Sequence, residues 1–200
     1  TNFIDYWLKN HSENIWNIDN LTYAANHAYR SNHNELYNFV FGNIVNSDLL
    51  RDVINSAKPR AIIHFAAETH VDNSIANPKA FIDTNINGTF ALLESSLGYW
   101  ETLCETERQS FRFINISTDE VYGSLSTEDD CFTEESPIKP NSPYSASKAS
   151  ADALVRSFMQ TYRMPTITTR CSNNFGPYQN MEKLIPTVIR SILTEQKIPI

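Results

Sequence analysis

Hydrophobic and polar positions follow two periods along the chain, and each period predicts an element. Phe3, Ile4, Trp7 and Leu8 fall on one helical face. Residues 14–18 read as a short strand ending at Asp19, and residues 20–36 as polar loop with a weak helix. Tyr37–Phe41 is a second strand. Leu49, Leu50, Val53, Ile54 and Ala57 share a face, so Asp48–Ala57 is an amphipathic helix that Pro59 stops. The apolar run Ala61–Ala67 has the character of a strand covered on both sides. Lys79–Leu103 is a long helical pattern, bent or broken near Gly98. After it come a strand at Phe111–Ser117, a loop at 124–141, a helix at 142–162, a strand at 165–171 and a helix at 182–195.

Strands alternating with helices predict an α/β fold: a Rossmann-like doubly wound parallel sheet with right-handed crossovers. Ligands in such folds sit beyond the carboxyl ends of the strands. The polar clusters fall there: Asp19, Glu68 to Asp72, Thr118 to Glu120, and Ser172 to Asn174.

The 200 residues carry 16 Lys and Arg against 23 Asp and Glu, a net charge of −7. That balance argues against a nucleic-acid binder, which needs clustered cations to meet phosphates. No apolar run approaches the roughly 20 residues needed to span a bilayer, so no membrane partner is expected. The N-terminus shows no basic stretch leading into an apolar one. Three widely spaced cysteines, Cys104, Cys131 and Cys171, suit a reducing compartment, and a cytoplasmic location is the expectation. The acidic loop Glu128, Asp129, Asp130, Glu134 and Glu135 reads as solvated surface. Five dispersed glycines leave no glycine-rich phosphate loop in the chain. No spacing suggests a metal site.

Tyr144 and Lys148 stand four apart, on one helical face. An ammonium beside a phenol favours the phenolate, which would make Tyr144 an acid/base for an alcohol or ketone. The same spacing also arises in helices without chemistry. Thr118 follows a strand and could hydrogen-bond the same substrate oxygen. Asp119 and Glu120 are adjacent carboxylates that could divide into acid and base, or simply form a turn with a helix cap. Asp19 after a strand could hold ribose hydroxyls, or be a turn residue. His64 reads as core; His70 is ambiguous.

Together these residues resemble the extended short-chain dehydrogenase/reductases, and within them the dTDP-glucose 4,6-dehydratase family. The resemblance spans essentially the whole chain. It is carried by Asp19-Asn-Leu-Thr-Tyr-Ala24, His64-Phe-Ala-Ala-Glu-Thr-His-Val-Asp72, Thr84-Asn-Ile-Asn-Gly-Thr89, Ser117-Thr-Asp-Glu-Val-Tyr-Gly123, Ser142-Pro-Tyr-Ser-Ala-Ser-Lys-Ala149, Cys171-Ser-Asn-Asn-Phe-Gly-Pro-Tyr178 and Glu182-Lys-Leu-Ile-Pro186. The Thr-Asp-Glu triplet is its most specific part; related epimerases usually lack both carboxylates, and related GDP-mannose dehydratases and UDP-glucuronate decarboxylases usually have Thr-Ser-Glu.

The resemblance implies NAD as cofactor. Asp19, Asn20, Leu21 and Thr22 would hold the adenosine ribose, and Asn43 with Ile44 the adenine; the family usually has Asp at the position of Asn43. Phe65, Ala66, Ala67, Thr69 and Thr84 would line the dinucleotide path, with Tyr144, Lys148 and Asn174 near the nicotinamide. Thr69, Thr118, Asn173, Lys183, Leu184 and Pro199 match positions that contact the nucleotide sugar, dTDP-glucose.

The implied reaction is redox-neutral and of the lyase class. Tyr144 takes the C4 hydroxyl proton with Lys148 lowering its pKa, and Thr118 steadies the C4 oxygen. Glu120 removes the C5 proton, and Asp119 protonates the departing C6 hydroxyl. The product is a 4-keto-6-deoxy sugar nucleotide for deoxysugar biosynthesis. The alternatives are a sibling epimerase or decarboxylase, and a non-catalytic partial chain.

Family members open with a strand and a Gly-x-x-Gly-x-x-Gly loop and continue past Ile200. Against them, residues 1–175 form a Rossmann-like domain without that strand and loop, and 176–200 begin the substrate lobe. Weak NAD binding by these residues alone is the expectation. A homodimer through the helices at 79–103 and 142–162 is implied, with Phe90, Leu93, Leu97, Leu154 and Phe158 as candidate interface residues.

Overall fold

The computed structural model describes residues 1–25 and 34–198. These form two compact units, Thr1–Phe41 with 173–200, and Gly42–Ser172.

In the first unit, α1 (Asn2–Asn10) uses the face that carries Phe3 and Trp7, whose rings lie 5.7 Å apart. β1 (Ile15–Asp19) pairs in parallel with β2 (Tyr37–Phe41), Ile15 opposite Tyr37 and Asp19 opposite Phe41. Tyr37 is buried, and its hydroxyl accepts from Asn17 Nδ2 at 2.8 Å. The weak helix expected within 20–36 falls largely outside the described residues.

The second unit holds most of the core. α2 (Ser47–Ala57) starts at Asn46, whose side chain accepts from Leu49 N, and ends at Lys58 in the left-handed conformation, just before Pro59. β3 (Ala61–His64), β4 (Arg112–Thr118) and β5 (Thr166–Cys171) form a parallel three-stranded sheet in that order. Among the described residues the strands are all parallel and flanked by helices, as an α/β fold requires, and they pair as β1-β2 and β3-β4-β5.

β3 is shorter than the apolar run predicted. Its pairing with β4 ends at His64 opposite Asn115. Beyond it, Glu68 N donates to Asn85 Oδ1 at 2.8 Å, and Asn85 Nδ2 donates to Glu68 O at 3.0 Å. Those bonds satisfy the chain as it leaves the sheet.

A short α3 (Val71–Ala76), outside the predicted helical pattern, comes first; the pattern itself resolves into α4 (Pro78–Phe81), a π-helical turn (Ile82–Gly88) and α5 (Thr89–Thr102). Gly98 does not break the helix; the irregularity lies earlier, in the π turn. A single glycine on an exposed face costs only about 1 kcal/mol of helix propensity, whereas the wide turn is fixed by the bonds that Asn85 makes. A short α6 (Glu105–Ser110), which sequence pattern did not predict, precedes β4. α5 packs against both α2 and α7 (Pro143–Tyr162), which explains its apolar content on more than one side. Phe81, Leu93, Phe111, Phe113 and Val155 are buried at its centre, each contributing about 1.5–3 kcal/mol by burial.

Candidate active site

α7 builds the centre of the site. Ser142 caps it reciprocally: its hydroxyl accepts from Ser145 N at 3.0 Å, and Ser145 Oγ accepts from Ser142 N at 2.9 Å. Pro143 takes the first turn, where its missing N–H costs nothing. The cap fixes the start, so Tyr144, Ser147, Lys148, Ala151, Asp152 and Val155 all turn inward on one face. α7 packs on β4 and β5 with that face.

Thr118 ends β4, and Asp119 to Tyr122 form a single 3-10 turn. Thr118 Oγ1 accepts from Glu120 N at 3.2 Å and donates to Asp119 Oδ1 at 3.2 Å. Gly123 closes the turn at φ +105°, and a Cβ there would stand 2.6 Å from Lys139 O. Only glycine suits that position.

The Tyr144 ring meets Phe81 edge-on at 6.3 Å. Burial pushes the phenol up to about 12, and the charges of Glu120, Cys171 and Asp119 push the same way; Thr118 opposes them. This corrects the expectation that Lys148 brings the phenol toward neutrality. Lys148 is itself buried, its ammonium donates to Ile116 O at 2.8 Å, and burial depresses its pKa against the opposing charges of Asp152 and Cys171. Thus Tyr144, Lys148, Thr118, Asp119 and Glu120 come together, with the phenol held protonated.

His64 is a core residue, as its position in β3 suggested. Its Nε2 bonds Thr89 Oγ1 at 2.8 Å, and burial, helped by Lys148, drives its pKa down to about 3. In the loop beyond β3, Phe65 and Thr69 are exposed and Ala66 and Ala67 half-buried. Thr84 lies half-buried in the π turn. Asn43 Oδ1 accepts from Val45 N, and Ile44 is buried against Gly88.

The first unit holds the other candidates. Asp19 ends β1 and accepts from Leu21 N at 2.7 Å, with Leu21 at φ 48°. Asn20, Thr22, Asn173 and Asn174 are exposed; Lys183 caps α8 (Leu184–Leu193), and Leu184 is exposed. Pro199 lies outside the described residues.

Pattern reading missed Asn85, Asn115, Asp152 and Arg170. Asn85 is buried and also donates to Ser147 Oγ at 2.8 Å, tying the π turn to α7. Its place in the quoted Thr84-to-Thr89 motif was the one available signal. Asp152 accepts from Asn115 Nδ2 at 3.0 Å and from Arg170 Nε at 2.9 Å.

A Tyr and Lys on the helix behind the carboxyl ends of parallel strands define the class: a Rossmann-fold protein of the short-chain dehydrogenase/reductase type. The chain belongs to the GDP-mannose 4,6 dehydratase family, whose model matches residues 1–200. It is 48% identical to the dTDP-glucose 4,6-dehydratase of Salmonella typhimurium over 203 residues, 96% of this chain and 56% of that protein. Among solved structures it resembles the dTDP-glucose 4,6-dehydratase of Streptomyces venezuelae with NAD and TYD bound (38% identity, TM-score 0.85, covering 98% of this chain and 58% of that one). The dTDP-glucose 4,6-dehydratase of Bacillus anthracis in complex with NAD is similar at 43% identity and TM-score 0.85, covering 99% and 59%. The chain thus spans little more than half the length of these relatives.

Proposed function

We propose that the protein of which these residues are part is a dTDP-glucose 4,6-dehydratase, an NAD-dependent lyase. The observation that carries the reading is the Thr118-Asp119-Glu120 turn set against the buried Tyr144 and Lys148. The residues fit the cofactor: a carboxylate ends β1, an exposed aromatic and two small residues follow β3, and Lys148 has N–H donors beyond the one Ile116 takes. When bound, NAD supplies the hydride acceptor for C4 and the donor for C6.

The chain's own residues move the protons. The Tyr144 phenol, protonated in the chain by itself, would ionise against the positive charges of Lys148 and of the nicotinamide ring and then take the C4 hydroxyl proton, and Thr118 hydrogen-bonds the C4 oxygen. A ketone at C4 acidifies the C5 proton, which Glu120 removes, while Asp119 protonates the departing C6 hydroxyl. Asp19, Asn20, Leu21 and Thr22 hold the adenosine ribose and Asn43 with Ile44 the adenine; Phe65, Ala66, Ala67, Thr69 and Thr84 line the path, with Lys148 and Asn174 at its nicotinamide end. Thr69, Asn173, Lys183, Leu184 and Pro199 contact the sugar nucleotide. The enzyme works as a cytoplasmic homodimer; among the described residues no helix is long and apolar enough to cross a membrane.

Single-turnover kinetics with dTDP-glucose on the full-length protein test the assignment. Tyr144→Phe should leave the nicotinamide absorbance flat. Glu120→Gln should let the absorbance rise and persist while C5 exchange with solvent deuterium and water loss stop; Asp119→Asn should slow water loss by about 100-fold or more. Normal elimination in Glu120→Gln would overturn the division of roles.

A further inference from the structure

Behind the site, a chain of polar contacts joins β4, β5, α7 and the 3-10 turn. Asp152 is one turn beyond Lys148 on the inward face of α7 and is buried. Its carboxylate accepts from Asn115 on β4 and from Arg170 Nε on β5. Arg170 spends another nitrogen on the turn: Nη1 donates to Tyr122 OH at 2.9 Å, and the guanidinium lies 5.2 Å from the Tyr122 ring centre. Tyr122 is buried and packs on Phe132 at 5.2 Å. It is the last residue of the turn that carries Asp119 and Glu120.

Glu120 N donates to Thr118 Oγ1, Thr118 Oγ1 to Asp119 Oδ1 and Gly123 N to Glu120 O, each at 3.2 Å, and Lys139 N donates to Val121 O at 3.0 Å. A single 3-10 turn is a weak element. Arg170 supplies a planar, charged fork that reaches a carboxylate and a phenol at once, which lysine cannot do.

We propose that Arg170, anchored by Asp152 and acting through Tyr122, is a positioning residue that holds the Asp119–Glu120 turn in register for the elimination half of the reaction. Neither Arg170 nor Tyr122 is assigned a contact with substrate or cofactor. The inference rests on the dehydratase reading for its kinetic consequence, while its structural part stands independently.

The full-length, NAD-loaded protein is compared with Tyr122→Phe and Arg170→Gln. Tyr122→Phe keeps the ring and the Asp152–Arg170 pair and removes one hydrogen bond, so the fold should survive where Arg170→Gln does not. In either variant that folds, backbone amides of residues 119–123 should exchange with deuterium faster, with α7 and β5 amides unchanged. With dTDP-glucose, Tyr122→Phe should slow water loss roughly tenfold to a hundredfold, the scale expected when reacting groups lose alignment. The rate of C4 oxidation and the KM should stay as they were. Arg170→Lys should not restore the elimination rate of Arg170→Gln.

Unchanged exchange in 119–123 for Tyr122→Phe overturns the proposal. So does equal slowing of oxidation and elimination, which would mean general damage. If the unsubstituted protein does not convert dTDP-glucose, the dehydratase reading fails, and the exchange measurement alone decides whether Arg170 holds the turn.

Discussion

Tyr144 illustrates how one residue answers to its whole surroundings. A Lys four residues on suggests a lowered phenol pKa, but burial and the nearby carboxylates win, and the value rises to about 12. The sign of the stability effect follows. A phenol that ionises near 10.0 when unfolded and about 12 when folded contributes stability that is intact below pH 10 and lost as pH rises toward 12. Tyr144→Phe should therefore show a shallower loss of stability over that window, measured by denaturant titration at successive pH values. Glu120→Gln removes one of the negative charges that oppose the phenolate, so the Tyr144 titration should move down, read as tyrosinate absorbance against the Tyr144→Phe background. An unmoved or higher titration would contradict the electrostatic account.

Two glycines on one helical stretch separate packing from propensity. A Cβ on Gly88 would stand 2.6 Å from Ile44 Cδ1 and 2.7 Å from Cγ1, while one on Gly98 would meet nothing within 4 Å. Gly88→Ala should cost about 1–3 kcal/mol because buried Ile44 must be displaced. Gly98→Ala should gain about 0.5–1 kcal/mol through helix propensity. Urea unfolding of both variants checks the pair of signs. The alternative prediction from pattern alone, a break at Gly98, fails because glycine permits a bend without requiring one. The irregularity instead follows Asn85, whose partners at Glu68 and Ser147 lie 17 and 62 residues away in sequence. Periodicity reads neighbours on one element, which is why α2, α7, β2 and the Tyr144–Lys148 pair were legible and this turn was not.

Over the whole molecule, the order of strands and helices and the crowding of polar residues at strand ends were legible from sequence. The Asn115–Asp152–Arg170–Tyr122 chain was not, since its partners come from four elements and only topology brings them together. The proposed dimer face is only partly the one expected. Leu93 and Phe158 are buried and Leu97 and Leu154 half-buried, while Phe90, with Met159 and Tyr162 on α7, is exposed. Met159→Lys should therefore leave the protomer folded and shift the full-length protein from dimer toward monomer in analytical ultracentrifugation; a sedimentation coefficient unchanged across concentration would remove this face from the interface. The division of the strands into two sheets has a colloidal consequence. Among the described residues β3 and β5 are the outer strands of one sheet and β1 and β2 make up the other, and edge strands can template pairing with another copy. β5 presents the β-prone run Thr166, Ile167, Thr168 and Thr169, with Arg170 as the one charge beside it. A net charge of −7 keeps copies apart at neutral pH. As acid discharges the carboxylates that repulsion fades, and these residues should become insoluble through edge-to-edge association before the core gives way.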